Sequence, residues 1–105
     1  MTLSRKDILN GDYKYPDSLI KLKPTRHFQQ RIKERDGGLS CLPSYVRVTK
    51  DNIHSGKTKD GIHLNSVVVR LKYTSDKFLF IALNPYDGGA KSFWFRKIEK
   101  NETKE

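Results

Sequence analysis

Cysteine occurs once in 105 residues, at Cys41, so no disulfide can form within the chain, and the sequence fits a reducing compartment. Acidic residues are few: 12 against 21 Lys and Arg, a formal charge of +9 with histidine neutral. Long apolar runs are missing as well. No window approaches the roughly 20 apolar residues that a membrane-spanning helix needs, and Met1-Thr-Leu-Ser-Arg-Lys-Asp7 has no apolar stretch of signal-peptide length. A cytoplasmic protein with no membrane partner is therefore expected. The three histidines stand 27 and 9 residues apart, and neither they nor the carboxylates take the spacing of a zinc site or a two-metal nuclease. No metal and no other cofactor is expected. Gly56-Lys57-Thr58 ends like a phosphate-binding loop, but Asp51 stands where that loop requires glycine. Cys41 itself reads as a small core thiol.

The positive charge that remains is spread along the chain. Residues 1–24 carry five basic and three acidic groups, residues 25–60 eight and four, and residues 61–105 eight and five. No tail supplies the excess, so the folded body itself is basic, which favours a polyanion as partner, with nucleic acid ahead of a membrane surface. The length suits a single domain over 1–105, with residues 1–3 and 99–105 frayed.

Local signals divide the chain into elements. Ser4-Arg-Lys-Asp7 ahead of Ile8-Leu9 has the form of a capping box, and Asn10-Gly11 stops the short helix it predicts at 4–10. Ser18 to Lys23 fits an edge strand or a turn of helix. A second helix is expected over about 26–36, after Pro24 and an N-cap at Thr25, ending at Gly37-Gly38. Tyr45 to Thr49 reads as a strand, Lys50 to Gly56 as a helical turn or loop, and Lys57 to Gly61 as a polar turn. Residues 62–74 alternate, with Val67, Val69, Leu71 and Tyr73 on one face and Ser66, Val68, Arg70 and Lys72 on the other. Phe78 to Leu83 is apolar on both faces, as in a central strand. Lys91 to Lys97 alternates again, with Phe93 and Phe95 opposed to Ser92, Trp94 and Arg96. Together these predict an α+β fold: one or two N-terminal helices packed on a three- to four-stranded antiparallel sheet.

Two groups of residues carry candidate chemistry. On the helix His27-Phe-Gln-Gln-Arg31-Ile-Lys-Glu-Arg35, His27, Arg31 and Arg35 recur every fourth residue and form one line. On the sheet, the face turned away from Val67, Val69, Leu71, Phe93 and Phe95 carries Arg70, Lys72, Ser92, Trp94 and Arg96. Cations neutralise phosphates, and an indole offers a surface for an unstacked base. His27 beside Arg31 suits an acid or base, with Arg31, Arg70 and Lys72 stabilising a phosphorane, while Arg35, Ser92, Trp94 and Arg96 hold the strand. His54 and His63, in or beside polar turns, are expected to be solvated.

The His27-Arg31-Arg35 helix and the order of elements over residues 25–97 resemble the barnase–EndoU–colicin–RelE group of small microbial ribonuclease toxins. That resemblance implies a helix-and-sheet fold and metal-independent cleavage of RNA, with His27 and Arg31 matching the motif. The expectation is thus a small RNA-binding endoribonuclease of toxin or phage-effector type, RNA being favoured over DNA. A non-catalytic nucleic-acid-binding or host-modulating protein would use the same basic face, and a module for an acidic protein partner would use the sheet edges and exposed aromatics.

Overall fold

Period-two patterning carries the C-terminal half of the chain into a meander of three long strands. The computed structural model describes residues 2–26, 30 and 43–98. Its strands are β1 (Thr2–Ser4), β2 (Leu19–Lys21), β3 (Lys23–Pro24), β4 (Tyr45–Arg47), β5 (Ile53–Thr58), β6 (Leu64–Thr74), β7 (Lys77–Leu83) and β8 (Gly89–Lys97), with one helix, α1 (Arg5–Asn10). Strands β6, β7 and β8 pair antiparallel in sequence order, and β7 is central, as its two-sided apolar run requires. Strand β5 adds antiparallel to β6, β1 to β5, and β3 parallel to β8, making a six-stranded sheet in the order β1-β5-β6-β7-β8-β3. Strands β2 and β4 form a separate antiparallel pair.

One face of the large sheet supplies the core. Val67 and Val69 of β6, Leu79, Ile81 and Leu83 of β7, Phe93 of β8 and Ile53 of β5 are buried there. Ile20, Leu22, Val46 and Val48, from and beside the β2–β4 pair, join the same cluster, and so do Leu3 and Ile8. Each large side chain so buried contributes about 1.5–3 kcal/mol relative to exposure. The capping box at α1 is formed: the Asp7 amide donates to Ser4 Oγ (3.2 Å) and the Ser4 amide to Asp7 Oδ2 (3.1 Å). Ile8, the buried residue of α1, lies over Gly56 of β5, where an added Cβ would stand 3.3 Å from Ile8 Cδ1 and 3.1 Å from the Ser66 carbonyl. A glycine there lets the helix close onto the sheet.

The α+β expectation is overturned. Among the described residues the fold is mostly antiparallel sheet, and the six-residue α1 is the one helix described from end to end. Among the described residues, Ile20 and Val46 of the β2–β4 pair join the core on the apolar face expected to lie under helices. Residues 53–58, read as turn, are instead a full strand. A helical-turn bond does close at Thr49–Ile53 (Ile53 N to Thr49 O, 3.0 Å), but from Ile53 onward the backbone pairs with β6. Thr2 and Leu3, expected at a frayed end, pair with Lys57 and Gly56. Of the helix expected over 26–36, positions 26 and 30 are described and both are helical, while His27, Arg31 and Arg35 fall outside the described residues, as does Cys41. No helix of the described residues is long and apolar enough to cross a membrane.

Candidate nucleic-acid interface

Register decides which side chains share the outer face of the sheet. Arg70 of β6 stands opposite Phe80 of β7, and Phe80 opposite Trp94 of β8. One step along, Lys72 stands opposite Phe78, and Phe78 opposite Arg96. Val68, Ala82 and Ser92 make a third, smaller row. The face thus carries two rows of mixed chemistry, Arg70–Phe80–Trp94 and Lys72–Phe78–Arg96, at the spacing where cross-strand neighbours touch. All five sheet residues selected from the sequence, Arg70, Lys72, Ser92, Trp94 and Arg96, lie together here.

The aromatic groups form a small cluster outside the main core. Trp94 stacks on Phe80 with ring centroids 5.6 Å apart and planes 6° from parallel, and Phe78 meets Phe80 edge-on at 6.5 Å. Phe80 is only 3 % exposed although it faces away from the core. The indole is therefore half-buried, with one ring face engaged by Phe80, and is not the free platform that its isolated position in the sequence suggested. Arg70 leans diagonally over Phe78, its guanidinium carbon 4.7 Å from the ring centroid, a cation–π contact that holds the cation at the surface. Arg70, Lys72 and Arg96 are exposed.

His54 also reaches this face, which the sequence reading missed. The β5–β6 register shifts between Ile53 and Ser55: Ile53 pairs with Val69 on the core side, and Ser55 with Val68 on the outer side. The bulge leaves His54 unpaired and turns its imidazole edge-on to Phe80, centroids 5.0 Å apart at 84°. Since β6 lies between β5 and β7, the contact bridges over that strand. The imidazole is held below its ordinary pKa, first by partial desolvation, then by repulsion from Arg70, Arg96 and Arg5. Arg5 is anchored nearby, donating from Nη1 to the Ile53 carbonyl at 2.7 Å and to the Asp51 carbonyl at 3.4 Å. Phe78 and Phe80 could have been found from the sequence, because they alternate with Leu79 and Ile81. His54 could not, because a bulge leaves no mark in hydrophobic period.

The remaining candidates are not placed on this face by the described residues. His27, Arg31 and Arg35 lie outside the described residues. His63, expected to be solvated, is held in the β5–β6 turn by Asp60, its Nδ1 2.7 Å from Oδ2. Asp60 Oδ1 also accepts from the amides of Ile62 and His63, both at 2.8 Å. The His63 amide, the His63 ring and the Ile62 amide, in that order, hold the Asp60 carboxyl far below the usual carboxylate range. A carboxyl depressed on folding adds stability that is complete above its unfolded value, near 4, and is lost as pH falls toward the folded value. Asp60→Ala is thus expected to lower Tm at pH 7 and to flatten the fall in Tm between pH 5 and pH 2, measured by calorimetry across that range.

No three His, Cys, Asp or Glu side chains gather as metal ligands among the described residues. An open groove of about 910 Å³ lies elsewhere, bounded by Ile8, Leu9, Tyr13, Tyr15, Arg47 and Val48. The exposed Arg47–Asp17 ion pair (3.1 Å) joins two of its lining residues, so it lacks the uniform charge of the sheet face. Comparison with protein-family models, curated proteins and solved structures finds no match for this chain.

Proposed function

We propose that the chain binds single-stranded nucleic acid, RNA by preference, across the outer face of β6, β7 and β8. The observation that carries this reading is the pair of cross-strand rows Arg70–Phe80–Trp94 and Lys72–Phe78–Arg96. Three exposed cations stand around an aromatic cluster on one sheet face, within a chain of formal charge +9. Guanidinium and ammonium groups neutralise phosphates, and rings among them receive bases that a single strand leaves unstacked and a duplex does not. The test is binding of a labelled single-stranded RNA titrated with salt. Affinity is expected to fall linearly in log–log form, with slope near −2, about 0.7 for each of three neutralised phosphates. A slope near zero, or equal affinity for duplex, would refute the reading.

One observation favours a second reading, in which the same face cleaves RNA without metal. Among the described residues the imidazole set among arginines is His54, and its lowered pKa keeps it neutral and able to accept a 2′-hydroxyl proton near pH 7. Cleavage in EDTA that is lost in His54→Ala supports this, and an intact strand at any protein concentration removes it. Capture of an acidic protein in place of RNA would redirect the basic face to the protein-module reading.

A further inference from the structure

We infer that His54, Arg5 and Arg70 form a phosphodiester subsite at the β5 bulge, extending the interface beyond β6–β8 and binding with uptake of a proton. The inference rests on the RNA-binding reading and adds to the β6–β8 strands two residues from neighbouring elements, Arg5 of α1 and His54 of β5.

Geometry brings the three together. The bulge turns His54 outward onto Phe80, and Phe80 is the cross-strand partner of Arg70. Arg5 holds the carbonyl of Ile53, the residue just before His54, so its guanidinium is fixed by backbone at the rim of the bulge. Among the described residues neither ring nitrogen of His54 makes a hydrogen bond, and the side chain is exposed. Among the described residues the elements around the imidazole bring it positive charge: Arg5 from α1, Arg70 from β6 and Arg96 from β8, while β7 brings Phe80. No carboxylate of the described residues contributes to its shift. The repulsion that Arg70 and Arg5 exert on a charged imidazole turns into attraction when an anion enters between them.

The sign of the linkage follows. In the free protein His54 titrates below 6.5. A phosphodiester monoanion between the imidazole and the arginines reverses the local repulsion, so the bound imidazole titrates higher. Affinity is therefore highest below the free value, falls as pH rises from the free to the bound value, and is level above both. Adding one charge-assisted hydrogen bond amounts to about a tenfold change in Kd.

The experiment uses the full chain with a labelled 2′-O-methyl oligouridylate of about eight nucleotides, which cannot be cleaved and whose bases do not titrate between pH 5 and pH 8. Anisotropy at fixed ionic strength should show Kd rising about tenfold across that range, and His54→Gln should remove the dependence. NMR of the native protein should show the His54 resonance titrating at higher pH when the oligonucleotide is bound. A pH-independent Kd in the native chain, an equal dependence in His54→Gln, or an unmoved His54 titration overturns the subsite while leaving the RNA-binding reading intact. Absence of binding at every pH overturns both.

Discussion

Reversing two charges on one row and its neighbour, Arg70→Glu with Arg96→Glu, is expected to weaken binding of a single-stranded RNA at least about 100-fold at roughly 0.1 M salt. Each reversal removes a charge-assisted contact of about 1.5 kcal/mol or more and adds a repulsive group. The salt slope should shrink by about 1.4, the share of two phosphates on a single strand. Both side chains are exposed, so the fold is expected to survive, and the loss of the Arg70–Phe78 contact should lower stability by less than about 1 kcal/mol. The control is an equal change in net charge elsewhere. Lys50, in the turn before β5, and Lys59, in the turn before β6, are exposed and lie off the β6–β8 face. At a screening length of about 10 Å, Lys50→Glu with Lys59→Glu should change affinity less than about threefold. Equal losses in the two double variants would mean that net charge alone draws the polyanion, and the assignment of this face would be wrong.

What the sequence discloses about this face depends on how regular each strand is. Strands β6 and β8 alternate without a break over residues 67–72 and 92–97, so Arg70 and Lys72 could be placed beside Ser92, Trp94 and Arg96 without knowing the partner register. The α1 cap was legible because Ser4 and Asp7 act only on each other. Strand β5 was not. Ile-His-Ser-Gly-Lys-Thr has one apolar residue, its glycine serves packing under Ile8, and its bulge places His54 and Ser55 on the same side. Strands of two or three residues such as β1, β2 and β3 carry too little period to be told from turn. The helical cover was expected because the only strong alternation lay C-terminal. The short β2–β4 pair adds Ile20 and Val46 to the core there, one inward residue from each strand and too few to announce a strand in the sequence. The role of Trp94 changed for a related reason: a single tryptophan in an alternating strand looks exposed until its cross-strand partner proves to be a phenylalanine.

The largest stability loss from one methyl group is expected at Gly88, and Gly61 provides the measure against which to judge it. Both adopt positive φ, +82° at Gly61 and +79° at Gly88, and both close turns that lead into the sheet. At Gly61 an added Cβ meets nothing within 4 Å, so Gly61→Ala bears only the left-handed backbone term, about 1 kcal/mol. At Gly88 the same atom would run into the carbonyl oxygen of Lys21 and stand 3.0 Å from Ile20 Cγ2. Neither neighbour can yield cheaply. The Lys21 carbonyl belongs to the β2 backbone, and Ile20 is part of the core. Gly88 is bonded on both sides, its amide donating to the Asn84 carbonyl at 2.8 Å and its carbonyl accepting from the Lys23 amide at 2.8 Å. That second bond ties the β2–β3 segment to the start of β8. Relief of the clash must therefore lift the segment off the sheet or unwind the Asn84–Gly89 turn. Gly88→Ala is expected to lose about 3 kcal/mol or more, the backbone term plus displaced core packing. For a chain of this size that lowers Tm by at least about 12 °C, against about 4–8 °C for Gly61→Ala. Chemical denaturation of the two variants side by side checks it. Equal losses would show that the β2–β3 segment gives way freely and does not hold β8 in place.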